Sequence, residues 1–387
     1  MQSASRMDSS LIDVPRGLTN VVVAETTLSD VRGTEGFYHY RQYSATELAT
    51  TRSVEDVWRL LLDGELPTRD ESLQFAQEVH DAAQISSHLH DVIRVAGRGS
   101  LTDPLATLRM ALTAEGLDRG VRPLFDLSPA DRRRDLIALA AKTPVIIAAI
   151  SRMAAGELPL DPRPELGYVA NYLYMIRGSE ASPLQVSALS SYLVAAIDHG
   201  FNASTFTARV IASTGADAAA CLVGALGALS GPLHGGAPSR ALDALDAIGT
   251  VENVDAWVAE RIAANERIMG FGHPVYRTED PRSAMLKEVA RRFGGARVEL
   301  AIRVEERIPV LLEQLKPGRQ LHTNLEWFAA IVMELCELPR ELFTSTFAAA
   351  RVLGWTANVL EQSADSKIIR PSARYVGPEA PVPVPAP

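Results

Sequence analysis

Apolar residues recur at spacings of three and four along most of this chain, the period of helices that turn one face to a core. Val254, Trp257, Val258 and Ile262 make one such stripe, and Met285, Leu286, Val289 and Phe293 another. Ser53-Val54-Glu55-Asp56 reads as a capped start with an acidic residue at its fourth place. It opens a helix through Trp58, Leu61 and Leu62 that stops at Gly64. Residues 183–197 and 203–229 carry few charges and are rich in alanine, glycine and serine. Small side chains let helices approach closely, so these are expected as a central pair or a subunit interface, the second broken at Thr214-Gly215. The N-terminal part reads differently. Val21-Val22-Val23 and residues 26–31 are short β-branched runs, and Gly33-Thr34-Glu35-Gly36 turns into residues 37–40. A small hairpin is expected there, and no strand beyond it. The pattern predicts an all-α protein with a small N-terminal β-hairpin.

A length of 387 residues leaves room for two domains with sizeable cores. With 47% hydrophobic and 22% charged residues, the make-up is that of an ordinary soluble globular protein. The net charge of −9 and the lack of a basic tract argue against nucleic acid as a partner. Any site for anions must therefore be made locally. Cys221 and Cys336 lie in apolar helical runs and read as buried thiols, which fits a reducing cytoplasm; a single disulfide is the alternative. Residues 1–10 are polar and lack the apolar centre of a signal peptide. The longest apolar run, 216–229, is short and interrupted by glycine, so no membrane span is expected. Residues 378–387 alternate proline with small residues and read as a disordered tail.

Four segments carry polar residues that a helical core does not need. The longest is Gly270-Phe271-Gly272-His273-Pro274-Val275-Tyr276-Arg277, continuing to Asp280-Pro281-Arg282. Its glycines let the backbone run close to whatever His273 touches, Pro274 favours a loop, and arginine forks suit carboxylates or phosphates. The plain alternative is a turn histidine. A dinucleotide fingerprint fails, because Val275 stands at its third glycine and a helical pattern precedes it. His199 follows Asp198 at the break between the two small-residue helices, where Asn202 or Ser204 would serve as a cap. His234 sits in a second glycine-rich break, Gly231-Pro232-Leu233-His234-Gly235-Gly236. Glu326 opens an apolar helix running to Cys336, a place where the helix dipole alone accounts for a carboxylate. The histidines lie far apart without cysteine or carboxylate partners at ligand spacing, so no metal is expected, and His88 and His90 read as a solvated pair. One carboxylate, three imidazoles and several arginines suit carbon–carbon bond formation by enolisation. The carboxylate removes a proton beside a thioester carbonyl, one donor stabilises the enol oxygen, another polarises a ketone, and arginines hold its carboxylates.

The stretch from Gly270 to Arg282 closely resembles the signature of the citrate synthase family. The resemblance extends to Val22-Val23-Ala24-Glu25-Thr26, Tyr40-Arg41 and Gly64-Glu65-Leu66-Pro67, and spans residues 17–378, with Gln42 standing where the family commonly has glycine. It implies that His234 donates to the thioester oxygen, Glu326 abstracts the methyl proton and His273 polarises the keto group of oxaloacetate. It likewise implies that His199, Arg282 and Arg351 bind the oxaloacetate carboxylates, and that Arg370 reaches the site from a neighbouring subunit. Met269, Gly270, Phe271 and Arg277 match the part that holds coenzyme A. One departure stands out. The family's base is usually aspartate in an Asn-Val-Asp-Phe context, whereas this chain has Asn324-Leu325-Glu326-Trp327. The extra methylene adds roughly an ångström of reach. Since about 1 Å of misplacement costs on the order of a hundredfold in rate, either the helix is set back or activity is reduced.

The resemblance thus implies a two-domain, homodimeric, all-α citrate synthase-like fold. A large domain would span 1–235, a small mobile domain would be inserted at 236–345, and 346–387 would return to the large domain and end in the proline-rich tail. The expected enzyme is a cytoplasmic acyltransferase of the tricarboxylic acid cycle. It would condense acetyl-CoA with oxaloacetate and hydrolyse citryl-CoA, with no cofactor beyond its CoA substrate. The neighbouring reading is 2-methylcitrate synthase acting on propionyl-CoA, where His273-Pro274-Val275-Tyr276 and Ile369-Arg370-Pro371-Ser372 are also at home; Ala24-Glu25-Thr26 leans the other way. From a different class, Glu326 raises a non-catalytic binding homologue.

Overall fold

The N-terminal hairpin forms with one strand more than the pattern predicts. β1 (Ser29–Arg32) pairs antiparallel with β2 (Phe37–Tyr40), Ser29 opposite Tyr40 and Arg32 opposite Phe37, and β2 pairs with a two-residue β3 (Tyr43–Ser44). A strand that short leaves no alternation to read. The expectation for Val21-Val22-Val23 is corrected: the run has no regular structure and Val22 is 86% exposed. β-branched residues make a strand only where a partner strand takes up the backbone groups, and among the described residues no strand pairs with this run. The computed structural model describes residues 11–97, 103–232, 234, 238–264, 266, 268–273, 275, 276, 278–315, 321–378 and 381–385. Residues 1–10, Leu233, Gly235, Gly236, Pro274, Arg277 and parts of the 378–387 tail therefore lie outside the described residues.

Helices make up nearly everything else. The first five are α1 (Ala45–Thr51), α2 (Val54–Asp63), α3 (Arg69–Ala82), α4 (Ser87–Gly97) and α5 (Pro104–Arg119). Then follow α6 (Pro129–Ala154), α7 (Tyr168–Arg177), α8 (Pro183–Ala196), α9 (Ala203–Ser213) and α10 (Ala218–Leu229). The rest are α11 (Pro238–Ile248), α12 (Val254–Ala263), α13 (Pro281–Arg291), α14 (Ala296–Leu315), α15 (Leu325–Leu335) and α16 (Phe343–Ser363). Local signals set many of their ends. Ser53 accepts from the Asp56 N–H to start α2, which stops at a left-handed Gly64. Asn202 starts α9, and the break expected near Thr214-Gly215 separates α9 from α10.

α6 and α16 run through the core and pack on each other, with α8, α9 and α10 around α16. By length and composition α6 could cross a bilayer, but 83% of its most apolar stretch is buried, as in a core helix. It is a longer apolar run than 216–229. Lys142 hides it from the sequence, and the fold satisfies that ammonium with the Ala82 carbonyl at 3.0 Å and Glu115 at 3.4 Å. α16 meets the end of α8 so closely that a Cβ on Gly354 would lie 2.1 Å from the Ile197 carbonyl oxygen. The Tyr40 hydroxyl lies 2.9 Å from the carbonyl oxygens of Val194 and Asp198, tying β2 to the same point. Helices α11 to α15 pack largely on one another, with α13 and α15 leaning on α8. Cys221 and Cys336 are buried and free, so the disulfide alternative falls, and burial pushes both thiols up to about 12.

Candidate active site

Helix ends and glycine-rich breaks converge on one cavity of about 550 Å³. The end of α8 delivers His199, the start of α9 delivers Asn202, and the turn after α10 delivers His234. The loop before α13 brings His273 and Arg282, the first turn of α15 brings Glu326, and one face of α16 brings Phe347 and Arg351. Asp30 and Val31 of β1 close one side.

The loop of His273 and the helix of Glu326 are stitched together. The Gly272 N–H donates to the His322 carbonyl at 2.8 Å, and the Asn324 N–H to the Gly270 carbonyl at 2.9 Å. The Asn324 side-chain amide donates to the Gly272 carbonyl at 2.9 Å, while its oxygen caps α15 at the Glu326 N–H. Gly270 has φ +83°, and a Cβ there would meet the Trp327 ring at 2.7 Å, so only glycine fits. Asp280 adds a further tie. It accepts from the Arg282 N–H and Nε at 3.0 Å, from Arg282 Nη2 at 2.8 Å and from the Leu325 N–H at 3.0 Å. Burial works to raise the Asp280 carboxyl, but the Arg282 guanidinium overrides it and holds the group below the usual range.

Backbone donors select the tautomers of two imidazoles. His273 Nδ1 accepts from the N–H groups of Val275 (3.0 Å) and Tyr276 (3.1 Å), so the neutral ring carries its proton on Nε2. Nε2 faces Arg282 Nη2 at 3.2 Å, two donors side by side, an arrangement suited to an oxygen that accepts from both. His234 Nε2 accepts from the Ser204 N–H at 3.3 Å, with the Ser204 hydroxyl at 2.8 Å, which leaves the proton on Nδ1. His199 Nε2 lies 3.0 Å from the Tyr276 hydroxyl, and its ring meets that of His273 edge-on at 5.5 Å. Burial and Arg282 hold His273 down to about 4. Burial, Arg282 and His273 hold His199 well below the usual imidazole range, and burial with Arg351 lowers His234. All three are neutral near pH 7, each with one N–H to donate.

Two guanidiniums and one carboxylate complete the site. Arg282 is 4% exposed and paired with Asp280. Arg351 is 3% exposed, and its Nε donates to the Ala196 carbonyl at 2.8 Å. Its group lies 4.7 Å above the Phe347 ring, and its two Nη atoms make no hydrogen bond among the described residues. A buried fork with a free edge is a carboxylate site. Burial raises the Glu326 carboxyl from 4.5 to about 7, against Arg282 and with Asp280, and no side chain bonds its oxygens among the described residues. That carboxyl is poised to gain and lose a proton near neutral pH.

Of the residues singled out in sequence, His199, His234, His273, Arg282, Glu326 and Arg351 line this one cavity. Gly270 and Phe271 are buried and do not line it, Phe271 packed on Trp327 with ring centroids 5.2 Å apart, and half-buried Met269 does not line it either. Arg277 is outside the described residues, and Arg370 is exposed in the segment after α16, away from its own chain's cavity. Sequence reasoning missed Tyr192, Tyr276, Ser204 as a histidine partner, and the fourfold role of Asp280. Only Asp280, two residues from Arg282, left a readable local signal. Among the described residues, no group of three or more histidine, cysteine or acidic side chains is arranged to hold a metal ion.

Residues 17–372 match the family model described as citrate synthase, C-terminal domain. The chain is 36% identical to the citrate synthase of Synechocystis sp., over 93% of this chain and 90% of that protein. It is 35% identical to the citrate synthase of Deinococcus radiodurans, over 94% and 96%. Among solved structures it resembles the citrate synthase of Thermoplasma acidophilum in ternary complex with carboxymethyl coenzyme A and oxaloacetate. There the TM-score is 0.87 at 28% identity, covering 96% of this chain and 98% of the other. The Thermotoga maritima citrate synthase gives a TM-score of 0.82 at 32% identity, over 95% and 96%.

Proposed function

The chain belongs to the citrate synthase family, and we propose that it condenses acetyl-CoA with oxaloacetate and hydrolyses the resulting citryl-CoA to citrate and CoA. One observation carries this reading: a proton acceptor near pH 7, three neutral imidazole donors and two buried guanidiniums face a single cavity. Glu326 removes a proton from the acetyl methyl group, and the His234 Nδ1–H stabilises the enol oxygen. The methyl carbon then bonds to the oxaloacetate ketone carbon, and the oxygen, stabilised by the His273 Nε2–H and Arg282, takes up one proton to become a hydroxyl, balancing the one that Glu326 removed. Arg351 with its free edge, Arg282 and His199 hold the carboxylates. Water then adds to the thioester carbon and CoA leaves as the thiol. Residues 236–345 act as a closing unit, which the stitching of His273 to Glu326 supports, since both then travel together.

A homodimer is part of the proposal, with Arg370 serving the partner's site. Large apolar side chains left exposed on and beside α5 (Met110, Leu117 and Phe125), next to the small-residue pair α9 and α10, support a second copy. The test is CoA thiol release with oxaloacetate and either acetyl- or propionyl-CoA. Turnover with acetyl-CoA yielding citrate is expected. One methylene in a pocket is worth only about 1–3 kcal/mol, so slower turnover of propionyl-CoA is also expected. A folded dimer that releases no CoA from either thioester overturns the reading.

A further inference from the structure

Among the described residues, Tyr192 is a polar side chain of the cavity whose hydroxyl no bond accounts for. It stands on α8 and is 0% exposed, and its hydroxyl is buried without a partner among the described residues. It lines the same cavity as Glu326 and Arg351. A phenylalanine would fill the same core space without burying a lone hydroxyl, so the hydroxyl has a use to be found. Its proton is firmly held, because burial pushes the phenol far up, and the charged groups acting on it are Arg351, Glu326 and Arg282. Arginine offers only donors. Glu326, in contrast, is an acceptor whose oxygens no donor meets among the described residues. A buried donor without an acceptor thus shares one cavity with a half-buried acceptor that no donor meets among the described residues. Glu326 also has one more rotatable bond than an aspartate at its place, and so more need of a fixed partner.

We propose that Tyr192 is a positioning residue for the base: a turn of the Glu326 side chain brings its ionised carboxylate to the Tyr192 hydroxyl, which then donates to it and fixes the oxygen that takes the acyl proton. This rests on Glu326 being that base. The groups facing Glu326 are Arg282 and Asp280 at the start of α13, Arg351 on α16, and the neutral His199, His234 and His273. None of the three histidines charges above pH 6.5, so the acidic limb of turnover near pH 7 reports Glu326.

Tyr192→Phe keeps the ring and removes the donor. With acetyl-CoA and oxaloacetate, kcat should fall roughly ten- to a hundredfold, the range for a hydrogen bond to a charged group. The acidic limb of kcat should move up by about one pH unit, because the ionised form has lost its donor. The oxaloacetate KM should stay unchanged. A residue that only supported the core would lower stability without moving the limb, whose position does not depend on the amount of folded enzyme. An unmoved limb overturns the proposal, as does a loss expressed in the oxaloacetate KM, which would assign the hydroxyl to the substrate. Glu326→Gln, assayed alongside, separates the two readings. If it keeps turnover, the base is elsewhere whatever Tyr192 does; if it abolishes turnover while Tyr192→Phe leaves the limb in place, only the positioning role fails.

Discussion

Glu326→Gln should disable the enzyme and stabilise the protein, and the two effects have one cause. Burial raises the carboxyl from 4.5 to about 7. At about 1.36 kcal/mol per pH unit this rise is worth about 3 kcal/mol between the two protonation states. The side chain is half-buried and the cavity opens to solvent, so about 1–3 kcal/mol is the expected range. The sign follows from linkage. The folded protein binds this proton more tightly than the unfolded chain, so the carboxyl favours folding below pH 4.5 and loses that advantage as pH rises through 7. Glutamine never ionises. The variant should therefore match the parent near pH 4.5 and exceed it by about 1–3 kcal/mol at pH 8. Turnover should fall roughly a hundred- to ten-thousandfold from loss of the general base. Urea unfolding at pH 5 and pH 8, at one protein concentration, measures the first effect, and CoA release the second. A stability gap equal at both pH values refutes the raised carboxyl. Near-full turnover refutes its role as the base.

Glu326→Asp shortens the reach by roughly an ångström and should lower CoA release on the order of a hundredfold; a rise would mean that glutamate is the misfit. Arg351→Lys keeps a charge but loses the fork, and should raise the oxaloacetate Kd roughly tenfold or more by titration calorimetry, so unchanged binding would remove Arg351 from the carboxylate site. Burial and Arg282 depress His273 to about 4. The folded state therefore resists its protonation, and stability intact above pH 6.5 is lost as pH falls toward 4. In His273→Gln that part of the acid loss, about 1–3 kcal/mol, should vanish from urea midpoints taken at pH 7 and pH 4.5, and an unchanged decline contradicts the depressed imidazole. Mixing Arg370→Ala with His273→Ala chains should restore some activity through hybrid dimers with one intact site; no recovery after proven subunit exchange refutes a shared site.

Features that depend on neighbours in sequence were legible without coordinates. The caps at Ser53 and Asn202 each join a side chain to an N–H three residues on, so these helix starts could be read directly. The glycines around Phe271 announced a close approach, and the resemblance, carried residue by residue, named six polar residues that the structure brings to one cavity. Some local readings failed because a partner was needed. Val21-Val22-Val23 has strand composition but no strand to pair with, and α6 hides an apolar core helix behind Lys142, whose partners lie on α3, α5 and beyond. Chemical state lay wholly beyond the sequence. The proton on His273 Nε2 is set by two backbone N–H groups in the folded loop, and that on His234 Nδ1 by Ser204, thirty residues away. The Glu326 carboxyl near 7, the free edge of Arg351 and the lone hydroxyl of Tyr192 arise from burial among α8, α15 and α16. Residue types and their spacing along the chain determine which groups can reach a site. Desolvation and the direction of each donor are properties of the packed interior, and only the tertiary structure decides them.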